Sequence, residues 1–199
     1  MLQINQIVNG YQHSCTYILF EDDCEYAWLV DCGAYDEVDQ WLILHNKSLL
    51  GVFLTHCHDD HTIGLRELLQ VNPEIPIYLS AYNGIKCVQD TRLNLSKFTS
   101  TPFQVTSKHF VELENSTKVQ LFDDVELVAY KADGHSPDSM VYIAGSYLFT
   151  GDAYIPRLAV VTKLPGADKA RAAESLMIIL NLINTYNLTV CAGHSIEKE

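Results

Sequence analysis

The segment Thr55-His56-Cys57-His58-Asp59-Asp60-His61 places three imidazoles and two carboxylates next to one another in the chain. It follows the apolar run Leu49-Leu50-Gly51-Val52-Phe53-Leu54, which reads as a buried strand, so the donors collect at a strand end. His56 and His58 have period-two spacing and point the same way on extended chain, whereas Cys57 points away and reads as packing. Asp60 and His61 follow as the chain turns into Thr62–Leu69, which reads as a helix. Nitrogen and oxygen donors gathered at a strand-to-helix junction are what zinc and similar divalent ions prefer. Three residues extend the set downstream: His135 in Gly134-His135-Ser136-Pro137-Asp138, Asp152 in Thr150-Gly151-Asp152, and His194 in Ala192-Gly193-His194. Each stands at a strand terminus beside a glycine, where backbone can come close to a ligand.

The elements that must position these residues are legible from periodicity. Tyr17–Phe20 and Tyr26–Val30 flank the acidic turn Glu21-Asp22-Asp23-Cys24, a hairpin pattern. Asp36–Leu44 reads as a short helix and Ile75–Leu79 as a buried strand. From Thr91 to Ser116 polar residues and Pro102 dominate. This stretch reads as an irregular connection, either lid or linker, with one short helix near Leu93–Phe98. Strands resume at Val119–Phe122, Val125–Tyr130, Met140–Ala144 and Tyr147–Thr150. A helix over about Ala167–Tyr186, with Ala172, Leu176, Ile179, Leu180 and Ile183 on one face, precedes the strand Leu188–Cys191. The expectation is a single domain over 1–199, with two similarly planned halves at about 1–90 and 117–199 and two mixed sheets flanked by helices.

Composition narrows the function classes. The 199 residues are 48% hydrophobic and 19% charged, enough for a sizeable core. Thirteen basic against 25 acidic residues give a formal charge of -12, so no pull toward nucleic acid or anionic membrane is expected. Met1–Val8 lacks the basic start and apolar stretch of a signal peptide, and no apolar run approaches the roughly 20 residues of a bilayer span. Six cysteines without CxxC spacing fit reduced thiols, and the expected location is cytoplasmic. His13, His45 and His109 fall on no motif and read as structural or surface residues.

The series HxHxDH, GHSP, TGD and GH, with Leu29-Val30-Asp31-Cys32-Gly33 after an early strand, resembles the metallo-β-lactamase fold superfamily of metal-dependent hydrolases. Leu164-Pro165-Gly166-Ala167-Asp168 and the following helix are similar to its glyoxalase-II-like branch. The resemblance covers nearly the whole chain. It implies an α/β (α+β) fold, a four-layer αββα sandwich of two mixed β-sheets. It also implies that His56, His58 and His135 hold one metal, that Asp60, His61 and His194 hold a second, and that Asp152 bridges them. The implied cofactor is two zinc ions per chain, with iron or manganese accepted by the same ligand types. A bridging hydroxide would attack a carbonyl carbon, oriented by Asp60 as the catalytic residue. Asp31 is either an acceptor that fixes a histidine tautomer or a strand-end turn residue. Tyr154 and Arg157, just past the bridging aspartate, are candidates for substrate contact or plain surface residues.

The resemblance implies a hydrolase of a small ester, thioester or lactone. Asp152 separates the chain from true β-lactamases of this fold, which carry a cysteine or no ligand there. Its acidity separates it from the nucleases, which bring basic exosites. Glyoxalase II has a C-terminal helical extension that helps to bind glutathione. Here Ser195–Glu199 follow the last ligand, so glutathione specificity is not carried over. The usual GG after the first motif is Ile63-Gly64, the asparagine of the second strand is replaced around Ser14-Cys15, and Asp138 near the metals would disfavour an anionic substrate unless it faces away. Two other readings are iron-dependent persulfide oxidation on the same fold and a non-catalytic metal-binding scaffold. His58 stands where the diiron flavoproteins carry glutamate, which argues for zinc-type chemistry.

Overall fold

In the computed structural model, which describes residues 1–195, the chain folds into two mixed sheets with helices on their outer faces. The first sheet runs β1 (Gln3–Val8), β2 (Cys15–Phe20), β3 (Tyr26–Val30), β4 (Ser48–Phe53), β5 (Ile77–Ser80) and β6 (Phe110–Leu113) in spatial order. Its first three strands pair antiparallel and the rest parallel. Helices α1 (Tyr35–Leu44), α2 (Asp59–Thr62), α3 (Leu65–Val71) and α4 (Gly84–Gln89) intervene. The second sheet comprises β7 (Lys118–Phe122), β8 (Val125–Lys131), β9 (Met140–Ala144), β10 (Tyr147–Gly151) and β11 (Thr189–Ala192), in the order β11-β10-β9-β8-β7. Only β10 and β11 pair parallel, and the crossover between them is α5 (Lys169–Tyr186).

Strand alternation builds the layers. Tyr17 and Leu19 of β2, Trp28 and Val30 of β3, and Phe53 of β4 meet Leu127, Tyr142 and Phe149 from the second sheet in the core between the sheets. Their neighbours Ile18, Leu29 and Val52 point the other way, onto Val38 and Leu42 of α1 and Leu65 and Leu68 of α3. On the far side, Val141 and Leu148 turn outward onto Ile179 and Leu182 of α5. Those contacts give the four-layer αββα sandwich that the motifs implied. Each fully buried Leu, Ile, Val or Phe contributes about 1.5–3 kcal/mol, so the three clusters together hold both sheets in fixed relation at the edge that carries the donors.

Details differ from the sequence reading. The helix expected over Thr62–Leu69 is two helices, because at Ile63-Gly64 the chain departs to let the Gly64 N–H donate to the Cys32 carbonyl at 2.9 Å. Within 91–116 the chain forms a single 3₁₀ turn at Ser96–Phe98, then adds β6 beside β5. In α5 the buried stripe is Ala172, Ser175, Ile179 and Leu182, while Leu180 faces solvent. The Asp168 carboxylate caps α5 by accepting from the N–H groups of Ala170 and Arg171, and Asn187 ends it in the left-handed conformation. Ile196–Glu199, counted above as the tail after the last ligand, lie outside the described residues.

Candidate metal centre

Strands β3, β4, β10 and β11 all deliver their C-terminal ends to one edge, and these ends carry Asp31, Thr55–His61, Asp152 and His194. His135 arrives from the β8–β9 loop, which is tied to the β4 end where the Met140 N–H donates to the Thr55 carbonyl at 2.8 Å. A bridge between Ser14 and His194 joins the two sheets at the same edge. Ligand sites outside the carboxyl ends of strands are a recurrent consequence of such topology.

The donors fall into two groups around a shared carboxylate. In the first, His58 Nδ1 lies 3.0 Å from His56 Nε2 and 3.1 Å from His135 Nε2. In the second, Asp60 Oδ2 lies 3.5 Å from His61 Nε2 and 3.3 Å from His194 Nε2. Asp152 faces both: its Oδ2 is 3.5 Å from His135 Nε2 and 3.4 Å from His194 Nε2, and its Oδ1 is 3.5 Å from His61 Nε2. Zinc–nitrogen bonds of about 2.0–2.1 Å at tetrahedral angles separate ligand nitrogens by roughly 3.3 Å, and both groups are close to that spacing. His58 Nε2, His61 Nε2 and Asp152 Oδ1 are buried with no hydrogen-bond partner. Unpartnered buried donors and acceptors are costly, and a cation held by the second group would satisfy His61 Nε2 and Asp152 Oδ1, whereas His58 faces its group through Nδ1 rather than Nε2.

Four of the five rings are oriented from behind through their other nitrogen. His135 Nδ1–H donates to the Val161 carbonyl at 2.9 Å and His194 Nδ1–H to the Gln12 carbonyl at 3.1 Å. His61 Nδ1 meets Asp31 Oδ2 at 2.9 Å. His56 Nδ1 lies 3.1 Å from Thr55 Oγ1, whose own hydrogen goes to Asp31 Oδ2 at 2.7 Å. Each contact directs the Nε2 lone pair inward. Burial first, then the neighbouring imidazoles, hold His56 well below the usual histidine range and His58 at about 3, so both rings stay neutral. For Asp152, burial alone would raise the pKa, but the neighbouring His194 and His61 rings keep it well below the ordinary value.

Two glycines are required for close approach. Gly151 has φ +48, and a Cβ there would sit 2.4 Å from Thr55 Oγ1. A Cβ on Gly193 would sit 2.2 Å from Asp152 Oδ1.

All seven residues proposed as ligands converge, and Asp31 stands behind two of them. Cys57 faces away as expected, fully buried, and its thiol meets those of Cys87 and the Asp138 carboxylate within 4.8 Å. Asp138 therefore faces away from the centre and does not screen it against anions. Tyr154 packs with Ile143 and Ile183 against the α5 layer, and Arg157 is exposed with φ +68. These placements give neither of them a contact at the centre. The sequence reading missed Asn9, a fully buried asparagine at the β1 end. Its amide donates to Ser14 Oγ (3.0 Å) and Thr16 Oγ1 (3.2 Å), and Ser14 Oγ in turn donates to the Asp60 carbonyl at 2.6 Å. The signal available in the sequence was Asn9-Gly10 at the close of a strand.

Comparison with known proteins agrees with this geometry. The family model described as the metallo-β-lactamase superfamily matches residues 8–194. A hydroxyacylglutathione hydrolase from Pseudoalteromonas translucida is 26% identical over 152 residues, 76% of this chain and 50% of that protein. A ribonuclease Z from Oceanobacillus iheyensis is 30% identical over 165 residues, 78% of this chain and 51% of that protein. The chain thus spans about half the length of these curated relatives. Among solved structures, that of BLEG-1, described as a B3 metallo-β-lactamase, superposes with a TM-score of 0.83 at 26% identity, covering 97% of this chain and 92% of that one. With seven donors at one sheet edge and a family match from the end of β1 through the last of them, the chain belongs to the metallo-β-lactamase superfamily.

Proposed function

We propose that this chain is a metal-dependent hydrolase that cleaves a small ester, thioester or lactone at a binuclear centre, with zinc as its resident metal. The observation that carries the reading is Asp152, whose two oxygens face nitrogens of both donor groups at 3.4–3.5 Å. His56, His58 and His135 would hold one ion, Asp60, His61 and His194 the other, and Asp152 both. When bound, such ions supply Lewis acidity and lower the pKa of water toward 7.

The chain's own residues do the rest. Asp60 Oδ2 sits between His61 and His194, where it accepts a hydrogen bond from the attacking water and aims it at the carbonyl carbon. Asp31, Thr55 and the carbonyls of Val161 and Gln12 keep five-membered rings from turning. Ile155, Leu158 and Val161 line an apolar wall beside His135 and Asp152. The charge of -12 supports a small-molecule substrate over nucleic acid or membrane, and six free cysteines support a reducing compartment, the cytoplasm. No described helix is long and apolar enough to cross a membrane.

The test is metal content by plasma mass spectrometry on untagged protein, followed by hydrolysis of thioesters, lactones and p-nitrophenyl esters. The expected result is about two zinc ions per chain and turnover that collapses in Asp60→Ala. One iron per chain with no hydrolysis would move the reading to sulfur oxidation.

A further inference from the structure

We propose that the acyl portion of the substrate is an uncharged apolar chain, seated in the groove walled by Tyr11, Leu95, Phe98, Leu164 and Pro165. This deepens the hydrolase reading above and rests on it. The groove has a volume of about 450 Å³, within the usual range of about 300–1,000 Å³ for small-ligand sites. It adjoins the donors at two points: Asp59, which lines it, precedes Asp60, and Gln12, which also lines it, holds His194 through its carbonyl. A smaller cavity of about 60 Å³ at His135 and Asp152 is lined by Ile155, Leu158, Ala159, Val160 and Val161.

Charge selects the occupant. No lysine or arginine among the described residues lines either cavity, and Lys97, Arg157 and Lys163 are exposed. Among the described residues, the only formal charge lining the groove is the Asp59 carboxylate, which accepts from the Tyr11 hydroxyl at 2.9 Å. Inside the groove an anionic group would meet the Asp59 carboxylate, whereas a hydrocarbon chain finds apolar walls.

Exposure and backbone point to the same place. Phe98 is 69% exposed and Tyr11 39%, so two large aromatic side chains of the groove stand open to solvent. Exposed apolar surface gathered in this way marks a binding site. The loops that present them hold Gln12 (φ 55) and Leu95 (φ 66) in the left-handed region without glycine. Such strained conformations gather at ligand clamps.

The experiment measures kcat/KM of the zinc-loaded protein on p-nitrophenyl esters from acetate to decanoate and on S-lactoylglutathione, for wild type and Phe98→Ser. Wild type should gain about threefold to fourfold per methylene until the groove is filled, and should prefer octanoate to S-lactoylglutathione. Phe98→Ser should cut the octanoate-to-acetate ratio about tenfold, and Phe98→Leu should restore most of it. Because Phe98 is largely solvent-exposed, these variants fold. Hydrolysis with no chain-length dependence, or a Phe98→Ser effect equal on acetate and octanoate, overturns the groove assignment and leaves the hydrolase standing. Absence of hydrolysis toward every ester and thioester overturns both.

Discussion

Asp31 Oδ2 lies 2.9 Å from His61 Nδ1, with both side chains buried at the end of β3. The same oxygen receives the Thr55 hydroxyl at 2.7 Å, and the Thr55 backbone N–H donates to Asp31 Oδ1 at 2.7 Å. Because Thr55 Oγ1 also faces His56 Nδ1, one carboxylate sets the ring orientation of a donor in each group: His61 directly and His56 through Thr55. Asp31 adopts φ +60 to reach this position, a conformation that aspartate and asparagine tolerate better than most residues.

Asp31→Asn keeps the backbone conformation and an acceptor for the Thr55 N–H. It replaces the acceptor oxygen shared by His61 and Thr55 with an amide nitrogen, which can only donate. Zinc affinity should fall about 10–100-fold, the usual effect of losing the partner behind a metal-binding histidine. Competition with a chromogenic chelator measures this. Affinity within twofold of wild type would show that ring orientation does not depend on Asp31.

Asp152→Ala removes the one side chain that faces both donor groups while leaving each trio of ligands intact. Metal content should drop from about two ions per chain to about one, and the remaining ion should exchange faster with a chelator. Retention of two tightly held ions would remove Asp152 from the bridging role. The circular dichroism spectrum should be preserved, since Asp152 takes no part in the three hydrophobic clusters.

The donors were legible because they sit at ends of strands that alternate cleanly, so strand periodicity alone brings Thr55–His61, Asp152 and His194 to chain positions that one edge can collect. The groups that orient them were less so. The carbonyls of Val161 and Gln12 are backbone atoms, which every residue carries, so no residue type announces them. Strand β6 escaped notice because Phe110–Leu113 is a short edge strand, half exposed and preceded by polar chain. Helix α4 escaped because it has only six residues and opens on a left-handed Asn83 followed by glycine, a pattern that reads as a turn. Tyr154 was weighed for the pocket from its nearness in sequence to Asp152. The β10 bulge between Phe149 and Gly151 and the turn after it send its ring to the α5 layer instead.

Gly151→Ala tests the close approach of β10 to the first ligand segment. A Cβ there meets Thr55 Oγ1 at 2.4 Å and Thr55 Cβ at 2.7 Å, and the backbone stays at φ +48. Displacement of Thr55 and the conformational penalty together should destabilise the fold by about 2 kcal/mol or more and weaken metal binding along with it. Urea unfolding of metal-free protein and chelator competition read the two effects separately. Unchanged stability and affinity would mean that β10 can retreat from Thr55 without consequence.

Asp138 gives the stability a pH dependence of its own. Its carboxyl is fully buried, and burial pushes its pKa up to about 6, against the lowering effect of a 2.6 Å hydrogen bond from Ser136 Oγ. The folded chain therefore retains a proton that the unfolded chain has released above about pH 4. Stability contributed at this position is lost as pH rises through about 4 to 6, by on the order of 3 kcal/mol, and is constant above about 7. Asp138→Asn keeps the shape and the acceptor for Ser136 but cannot ionise. The stability of wild type minus that of the variant, from urea titrations of metal-free protein at pH 4.5, 5.5 and 7.5, should decline across both intervals, by about 1 kcal/mol in each. A difference independent of pH would mean that the Asp138 carboxylate is as well solvated inside the fold as in the unfolded chain, so that its burial beside Cys57 and Cys87 costs nothing.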